Sequence, residues 1–277
     1  MIVVTGASGY TGSRAIRRLF ELGLPVTALG RDSARLRKAI PHGVPVTIAD
    51  YDDPESLDRA FAEATRLLFI AGDGFADDML RQHANVIAAA NRGRVEHVVF
   101  TSIIDVEEGS PFYFAPVYRD AERRLKAARF GCSIVRCGLY SDFILQHWLR
   151  ETLISLPLVN ARIAPISRDD IAAVLVQAVL DASAATCNLA GARSYSMAEI
   201  ASAASRALGR PYAYQPCAPE DYFNRLRRTV DDPWPTAFSS LCASIREGRF
   251  AAASASFAQM LSRPPEDFES FLKRSRA

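Results

Sequence analysis

Six short apolar runs, each followed by a stretch of helical spacing, occupy the first half of this 277-residue chain. The runs fall over 2–5, 25–29, 46–49, 67–71, 97–102 and 133–136. Between them, sets such as Ala15, Ile16, Leu19 and Phe20, or Met79, His83, Val86 and Ala89, recur every three or four residues. Apolar runs of four to six residues, too short for helices, suit strands buried on both faces. Their alternation with helices predicts right-handed strand–helix–strand units and a parallel sheet covered on both sides. Start signals agree with this reading. Asp32 and Ser33 are N-cap types before a short helix, and Asp53-Pro54-Glu55 offers a cap, a proline at the first helical position and an early acid.

The first strand runs directly into Gly6, and Gly6, Gly9 and Gly12 are spaced GxxGxxG ahead of the helix over 11–22. In such a turn the first glycine permits the tight bend, the second lets backbone approach a diphosphate, and the third lets helix and strand close together. The helix start then offers free N–H groups and partial positive charge. The expected fold is therefore α/β, a Rossmann doubly wound parallel sheet, and the expected ligand a dinucleotide held by Gly6, Ser8, Gly9, Tyr10, Thr11 and Gly12. The second strand ends Leu29-Gly30-Arg31. A site for NAD places an acid there, whereas a glycine followed by Arg31 suits a 2′-phosphate, so NADP(H) is expected. Asp32 is the competing acid, and its place before a helix reads better as an N-cap.

Beyond Asp142 the rhythm changes. A helix is expected over 143–156, another opens at Ser167-Arg168-Asp169-Asp170, and Ser196-Met197-Ala198-Glu199 is a capping box. The organisation expected is a nucleotide-binding domain over 1–150 and a smaller, mostly helical substrate domain over 151–277, partly interlaced with the first, with the helix near 167–181 packing on the sheet.

Several function classes drop out. The 33 basic and 31 acidic residues leave a net charge of +2, without the basic excess of a nucleic-acid binder. Five cysteines, an odd number with no CxxC pair, and four histidines without ligand spacing argue against a disulfide framework or a metal. No apolar stretch approaches the roughly 18 residues of a membrane span. A strand beginning at Ile2 leaves no room for a signal peptide, so a cytoplasmic setting is expected.

The sequence resembles the NmrA-like group of atypical short-chain dehydrogenases/reductases, which includes quinone and triphenylmethane dye reductases. The likeness is carried by Val4-Thr5-Gly6-Ala7-Ser8-Gly9, His83-Ala84-Asn85-Val86-Ile87, Thr101-Ser102, Arg136 through Phe143, the Ser167-Arg168-Asp169-Asp170 helix start and Arg263-Pro264-Pro265. It implies that Ala71 and Gly72 line the adenine side, and that Thr101, Ser102, Gly138, Leu139 and Tyr140 lie near the nicotinamide. The wider superfamily uses Tyr-x-x-x-Lys, where lysine lowers the tyrosine pKa. Here the helix reads Tyr118-Arg119-Asp120-Ala121-Glu122, and Lys126 lies about 12 Å further along it. Alcohol oxidation is thereby disfavoured, while quinones and cationic dyes, being strong hydride acceptors, ask chiefly for placement. Neutral Tyr118 or Ser102 could donate a hydrogen bond to a quinone oxygen, and Phe143, His147 and Trp148 are candidates for the substrate wall. The aromatics of the tail (Tyr212, Tyr214, Tyr222, Phe223, Trp234, Phe238) could wall an apolar ligand cavity, though most read as core. Three functions stay open: an NADPH-dependent reductase of an aromatic small molecule, a non-catalytic NADP(H) sensor that binds a regulatory protein, and an isomerase or epimerase with tightly held cofactor. Self-association into a homodimer is left open as well.

Overall fold

A computed structural model describes residues 1–276. The expected strands appear as β1 (Ile2–Val4), β2 (Val26–Gly30), β3 (Val46–Ile48), β4 (Arg66–Phe69), β5 (His97–Ile103) and β6 (Gly131–Cys137). Between them run α1 (Tyr10–Glu21), α2 (Ser33–Ala39), α3 (Pro54–Phe61), α4 (Ala76–Arg92) and α5 (Ala115–Lys126). The sheet order is β3-β2-β1-β4-β5-β6, with a seventh strand, Thr186–Leu189, on the β6 edge. β1 pairs in parallel with both β2 (Val4↔Ala28) and β4 (Val4↔Leu68), so the winding direction reverses beside β1. A Rossmann doubly wound sheet is thus the fold, as the alternation predicts. The seventh strand escaped notice because Thr-Cys-Asn-Leu at an edge carries no buried apolar run.

Compactness divides the chain into two units, each assembled from separated segments. The first comprises Met1–Ser102, Val117–Arg136 and Ile171–Cys187; the second comprises Ile103–Pro116, Cys137–Asp170 and Asn188–Ala277. In the first, Leu67, Phe69, Val98 and Phe100 meet Leu57, Phe61, Val86 and Ala90 in one apolar core. Most of helix Arg168–Asp181 belongs to this unit, where the Arg66 guanidinium caps it by donating to the carbonyls of Val179 (2.6 Å) and Leu180 (3.1 Å).

The second unit has its own core around Ile144, Trp148, Ile154, Ile163, Ile200, Ile245 and Phe268. One expectation fails here. The helix foreseen over 143–156 is a short turn, Ser141–Phe143, followed by π-helical Ile144–Trp148 and then a strand, Leu153–Leu156. That strand pairs in parallel with Ala213–Pro216, and it buries Ile154 and Leu156 while Leu153 lies exposed. The period in this stretch is two, not 3.6, and a partner strand some sixty residues away decides it. Tyr212 and Tyr214 donate to the carbonyls of Leu149 and Leu156 (3.3 and 3.0 Å) and pack half-buried against this core, while Tyr222 is buried in it.

Candidate functional site

The glycine turn is shaped as its spacing requires. Gly6 adopts φ +58°, in the left-handed region open to glycine, and its carbonyl accepts the Gly9 N–H at 3.0 Å. A Cβ on Gly12 would collide with that same Gly6 carbonyl, so only glycine lets the helix sit this close to the strand. Gly9 caps α1 without any side-chain hydrogen bond, and the first turn contains no acid. The opening amides of α1 are therefore presented to an anion without a built-in competitor. Ser8 and Thr11 are half-buried beside them. Tyr10 is exposed, with the Arg14 guanidinium 5.1 Å from its ring centre.

At the end of β2, the Asp32 carboxylate accepts from Ala34 N (2.9 Å) and Arg35 N (3.1 Å), the N-cap role expected of it. Arg31 is exposed just ahead of it. Gly30 also serves packing, since a Cβ there would approach Leu36 to 3.2 Å. The neighbouring strand ends are tied together by Thr5 Oγ1, which accepts from Ile70 N (3.0 Å), and by Thr101 Oγ1, which accepts from Ala71 N (3.0 Å).

Sequence reasoning missed Tyr51. It follows β3, donates to Ile70 O (3.3 Å), bonds also to Thr5 and to the backbone at Gly6, and lies alongside Gly72. Burial raises its phenol pKa well above the ordinary range, with those hydrogen bonds and the nearby Arg31 charge opposing, so it is a neutral hydroxyl under the glycine turn. The run Asp50-Tyr51-Asp52 directly after a strand was the signal available. Asp52 is engaged by Arg81 Nε (2.9 Å) and Gln82 Nε2 (2.8 Å), which joins the β3 end to α4.

At the end of β5, Ser102 is buried and its hydroxyl donates to Glu122 Oε1 (2.7 Å). Glu122 also takes a bidentate pair from Arg136, Nε at 2.8 Å and Nη2 at 2.6 Å, with Lys126 Nζ at 3.4 Å. Burial alone would raise the Glu122 pKa, but Arg136 and Ser102 outweigh it and hold the carboxyl below its usual range. The residue in the lysine position is thus an ionised, neutralised carboxylate, and the Ser102 proton expected to serve a quinone oxygen is engaged inward. A serine has one proton to give. Tyr118, one turn before Glu122, is half-buried against Phe100 and His83, with ring centres 6.2 and 6.0 Å away. His83 is 1% exposed, neither ring nitrogen has a hydrogen-bond partner, and burial pushes its pKa down to about 4.

The remaining candidates lie in the second unit. Gly138 donates to Leu189 O (2.8 Å), at a crossing where a Cβ would stand 3.3 Å from Ala190. Leu139 is core, while Tyr140 bridges to Ile166 and lies under the Arg168 guanidinium, 5.1 Å from its ring centre. Asp142 fixes the same helix start by accepting from Arg168 N (2.9 Å). Asp170, further along it, accepts from Arg263 Nη2 (3.0 Å) and Glu266 N (2.7 Å), which brings two distant motif pieces together. Phe143 and His147 stack with ring centres 4.6 Å apart, and each meets Phe238 at 5.3 Å, which in turn meets Trp234 at 5.5 Å. Trp148, by contrast, is 5% exposed and belongs to the core. Trp234 and Phe238, tail aromatics of the kind the sequence allowed as a ligand wall or as core, are half-buried members of this aromatic group, and Phe238 also packs against the core.

Elsewhere, a groove of about 310 Å³ lined by Lys126, Phe130, Cys132 and Thr186 opens at the amino end of β6, the edge opposite the glycine turn. Among the described residues there is no cluster that could hold a metal and no helix long and apolar enough to cross a membrane.

A doubly wound sheet, with an uncapped glycine turn at the switch point beside β1, defines the class of Rossmann-type nucleotide-binding proteins. Within it the chain belongs to the NmrA-like family, whose profile matches residues 1–272. It is 29% identical to an NAD(P)H azoreductase of Xenophilus azovorans over 77% of this chain and 76% of that one. It is 26% identical to quinone oxidoreductase 2 of Escherichia coli K12, over 82% and 81%. The crystal structure of the Citrobacter sp. triphenylmethane reductase complexed with NADP(H) superposes over all of both chains, with a TM-score of 0.90 at 25% identity.

Proposed function

We propose that this protein is an NADPH-dependent reductase that passes hydride to an electrophilic aromatic small molecule such as a quinone. The observation that carries the reading is the first turn of α1. Its amides are uncapped, its glycines admit no side chain, and the one acid near the β2 end is already spent on its own helix. That arrangement fits a diphosphate at the turn and leaves Arg31 as the group for a 2′-phosphate. The names of the relatives, an azoreductase, a quinone oxidoreductase and a dye reductase, support the same chemistry.

The bound cofactor would supply hydride. The chain's own part is to hold and orient. Gly6 through Gly12 cradle the diphosphate, Tyr51 and the Ile70–Gly72 strand end floor the adenosine side, and Thr101 keeps the β4 and β5 ends in register. Tyr118, at the position of the superfamily's tyrosine, is the hydroxyl assigned to an acceptor oxygen. In the second unit, Tyr140, Phe143 and His147 offer aromatic surface for a planar ligand. Five cysteines without a disulfide suit the reducing cytoplasm.

The ionised Glu122 in place of lysine favours a second reading, a non-catalytic NADP(H) sensor. Oxidation of NADPH and NADH across quinones, dyes and aldehydes separates the two: a sensor binds NADPH and turns over nothing. Arg31→Ala should weaken NADPH binding about tenfold or more and leave NADH nearly unchanged, since a charged hydrogen bond contributes about 1.5–3 kcal/mol. Equal losses by titration calorimetry would defeat the NADP assignment.

A further inference from the structure

Charge is spread unevenly over the first unit. From the glycine turn to the end of α2, α1 carries Arg14, Arg17 and Arg18, and Arg31, Arg35, Arg37 and Lys38 follow; the acids of that stretch are Glu21 and Asp32. The whole chain has a net charge of only +2, so the rest of it is acidic on balance. The helix period sets where these charges point. α1 buries Gly12, Ala15, Ile16 and Leu19, which leaves Arg17 and Arg18 exposed, and α2 buries Leu36 and exposes Arg35, Arg37 and Lys38. Both helices cover one face of the sheet, because right-handed crossovers that step the same way along a sheet lie on one side. They also sit close together: a Cβ on Gly43, just beyond α2, would stand 3.6 Å from Phe20 of α1. Arg14, Arg17 and Arg18 lie about 6, 10 and 12 Å along the α1 axis from its first residue. That is the scale of the Debye length, about 10 Å at 0.1 M salt. Among the described residues, Arg17, Arg18, Arg35, Arg37 and Lys38 make no ion pair. The nearby acids do not cancel this charge. Asp32 and Asp53 cap their own helices, Asp50 accepts from Asp52 N, and Asp52 is held by Arg81 and Gln82. Glu21 stands about 16 Å from the start of α1. Asp181 lies beside the start of β4, at the end of the sheet remote from the turn, where it accepts from Gln177 (2.7 Å). Asp73 and Asp77 are exposed at the start of α4, which packs on the other face of the sheet. A polyanion is repelled from their side and drawn to α1 and α2.

We propose that the outer faces of α1 and α2 steer the cofactor onto the glycine turn. Arg17, Arg18, Arg37 and Lys38, set back from the turn by a helical turn or more, speed NADPH association and give NADPH a kinetic advantage over NADH beyond the one Arg31 confers by contact. The 2′-phosphate adds about 1.5–2 negative charges to those of the diphosphate, so NADPH is drawn by close to twice the charge of NADH. A field of this kind acts on the rate of encounter and is screened by salt, while dissociation depends on the contacts made once bound. The inference rests on NADP(H) as the ligand of the turn and not on the reductase reading.

The experiment mixes the full-length protein with NADPH or NADH in a stopped-flow instrument and follows the fluorescence of the nucleotide, from about 20 mM to about 0.5 M salt. In the fourfold variant Arg17→Gln, Arg18→Gln, Arg37→Gln, Lys38→Gln, the NADPH association rate at low salt should fall about fivefold and the NADH rate about twofold, with both dissociation rates unchanged. In the wild type, the logarithm of the NADPH rate should fall with salt about twice as steeply as that of NADH, and wild type and variant should converge at high salt. Arg59→Gln with Arg94→Gln removes two exposed arginines away from this surface, on α3 and just beyond α4, and should leave both rates as they are. That control separates a local field from net charge. Equal salt slopes for the two nucleotides, an unchanged association rate in the fourfold variant, a change confined to dissociation, or an equal loss in the control overturns the inference. Should the fourfold variant fail to fold, the wild-type slopes decide. A wild type that binds neither nucleotide overturns this inference and the cofactor assignment together. Failure to turn over any quinone or dye, with the rates as stated, sinks the reductase reading and leaves the steering standing.

Discussion

Gly12 shows how narrow a single position can be. Its α-carbon faces the Gly6 carbonyl so closely that any side chain must push the turn open. Gly12→Ala should cost about 1–3 kcal/mol of stability, the range for forcing a methyl into packed structure, and should weaken NADPH binding as well, because the displaced backbone is the cradle itself. Urea unfolding together with nucleotide titration checks both, and an unchanged midpoint with unchanged affinity would show that the turn has slack. The spacing of Gly6, Gly9 and Gly12 made this legible in the sequence, since the geometry is local. Tyr51 was not legible in the same way. Its hydroxyl reaches Ile70, and Thr5 and Gly6, both more than forty residues back, and the run Asp50-Tyr51-Asp52 marks a strand end without announcing that meeting. The same holds for Glu122. The sequence places a carboxylate where lysine is usual, but only the fold supplies Arg136 and Ser102 to hold it ionised.

At the scale of elements, the caps behave as written. Ser196 Oγ accepts from Glu199 N at 3.2 Å while Glu199 reaches back to Ser196 N at 2.8 Å, and Arg193 and Arg162 pair with the same carboxylate. Ser196→Ala should lower stability by about 1 kcal/mol, the usual worth of an N-cap, without changing nucleotide affinity; thermal unfolding and a binding titration read the two. Helix starts were readable because a cap and its helix lie within four residues of each other. The strand Leu153–Leu156 was misread as helix for the opposite reason. Four residues with two buried apolar side chains fit either period, and the partner that decides between them, Ala213–Pro216, lies far along the chain.

At the scale of the whole molecule, the buried His83 links folding to pH. Its imidazole sits among Phe69, Phe100 and Tyr118 with no hydrogen-bond partner, and burial depresses its pKa from 6.5 to about 4, with Asp120 opposing. The unfolded chain therefore takes up a proton first as pH falls. Stability tied to His83 is complete above pH 6.5, drains away as pH drops toward 4, and amounts to about 3 kcal/mol. In His83→Phe, urea midpoints measured between pH 7 and pH 4 should fall less steeply than in the wild type by that amount. Parallel curves would mean the ring finds a partner in solution.

The sequence by itself determined the doubly wound sheet, the helix starts and the glycine turn, because each depends on residues a few positions apart whose period or spacing is visible along the chain. The tertiary structure alone decided which hydroxyl lies buried under the glycine turn, which aromatic rings meet and which charges surround the buried Glu122. Those depend on groups brought together from distant segments by burial, and burial is a property of the folded whole.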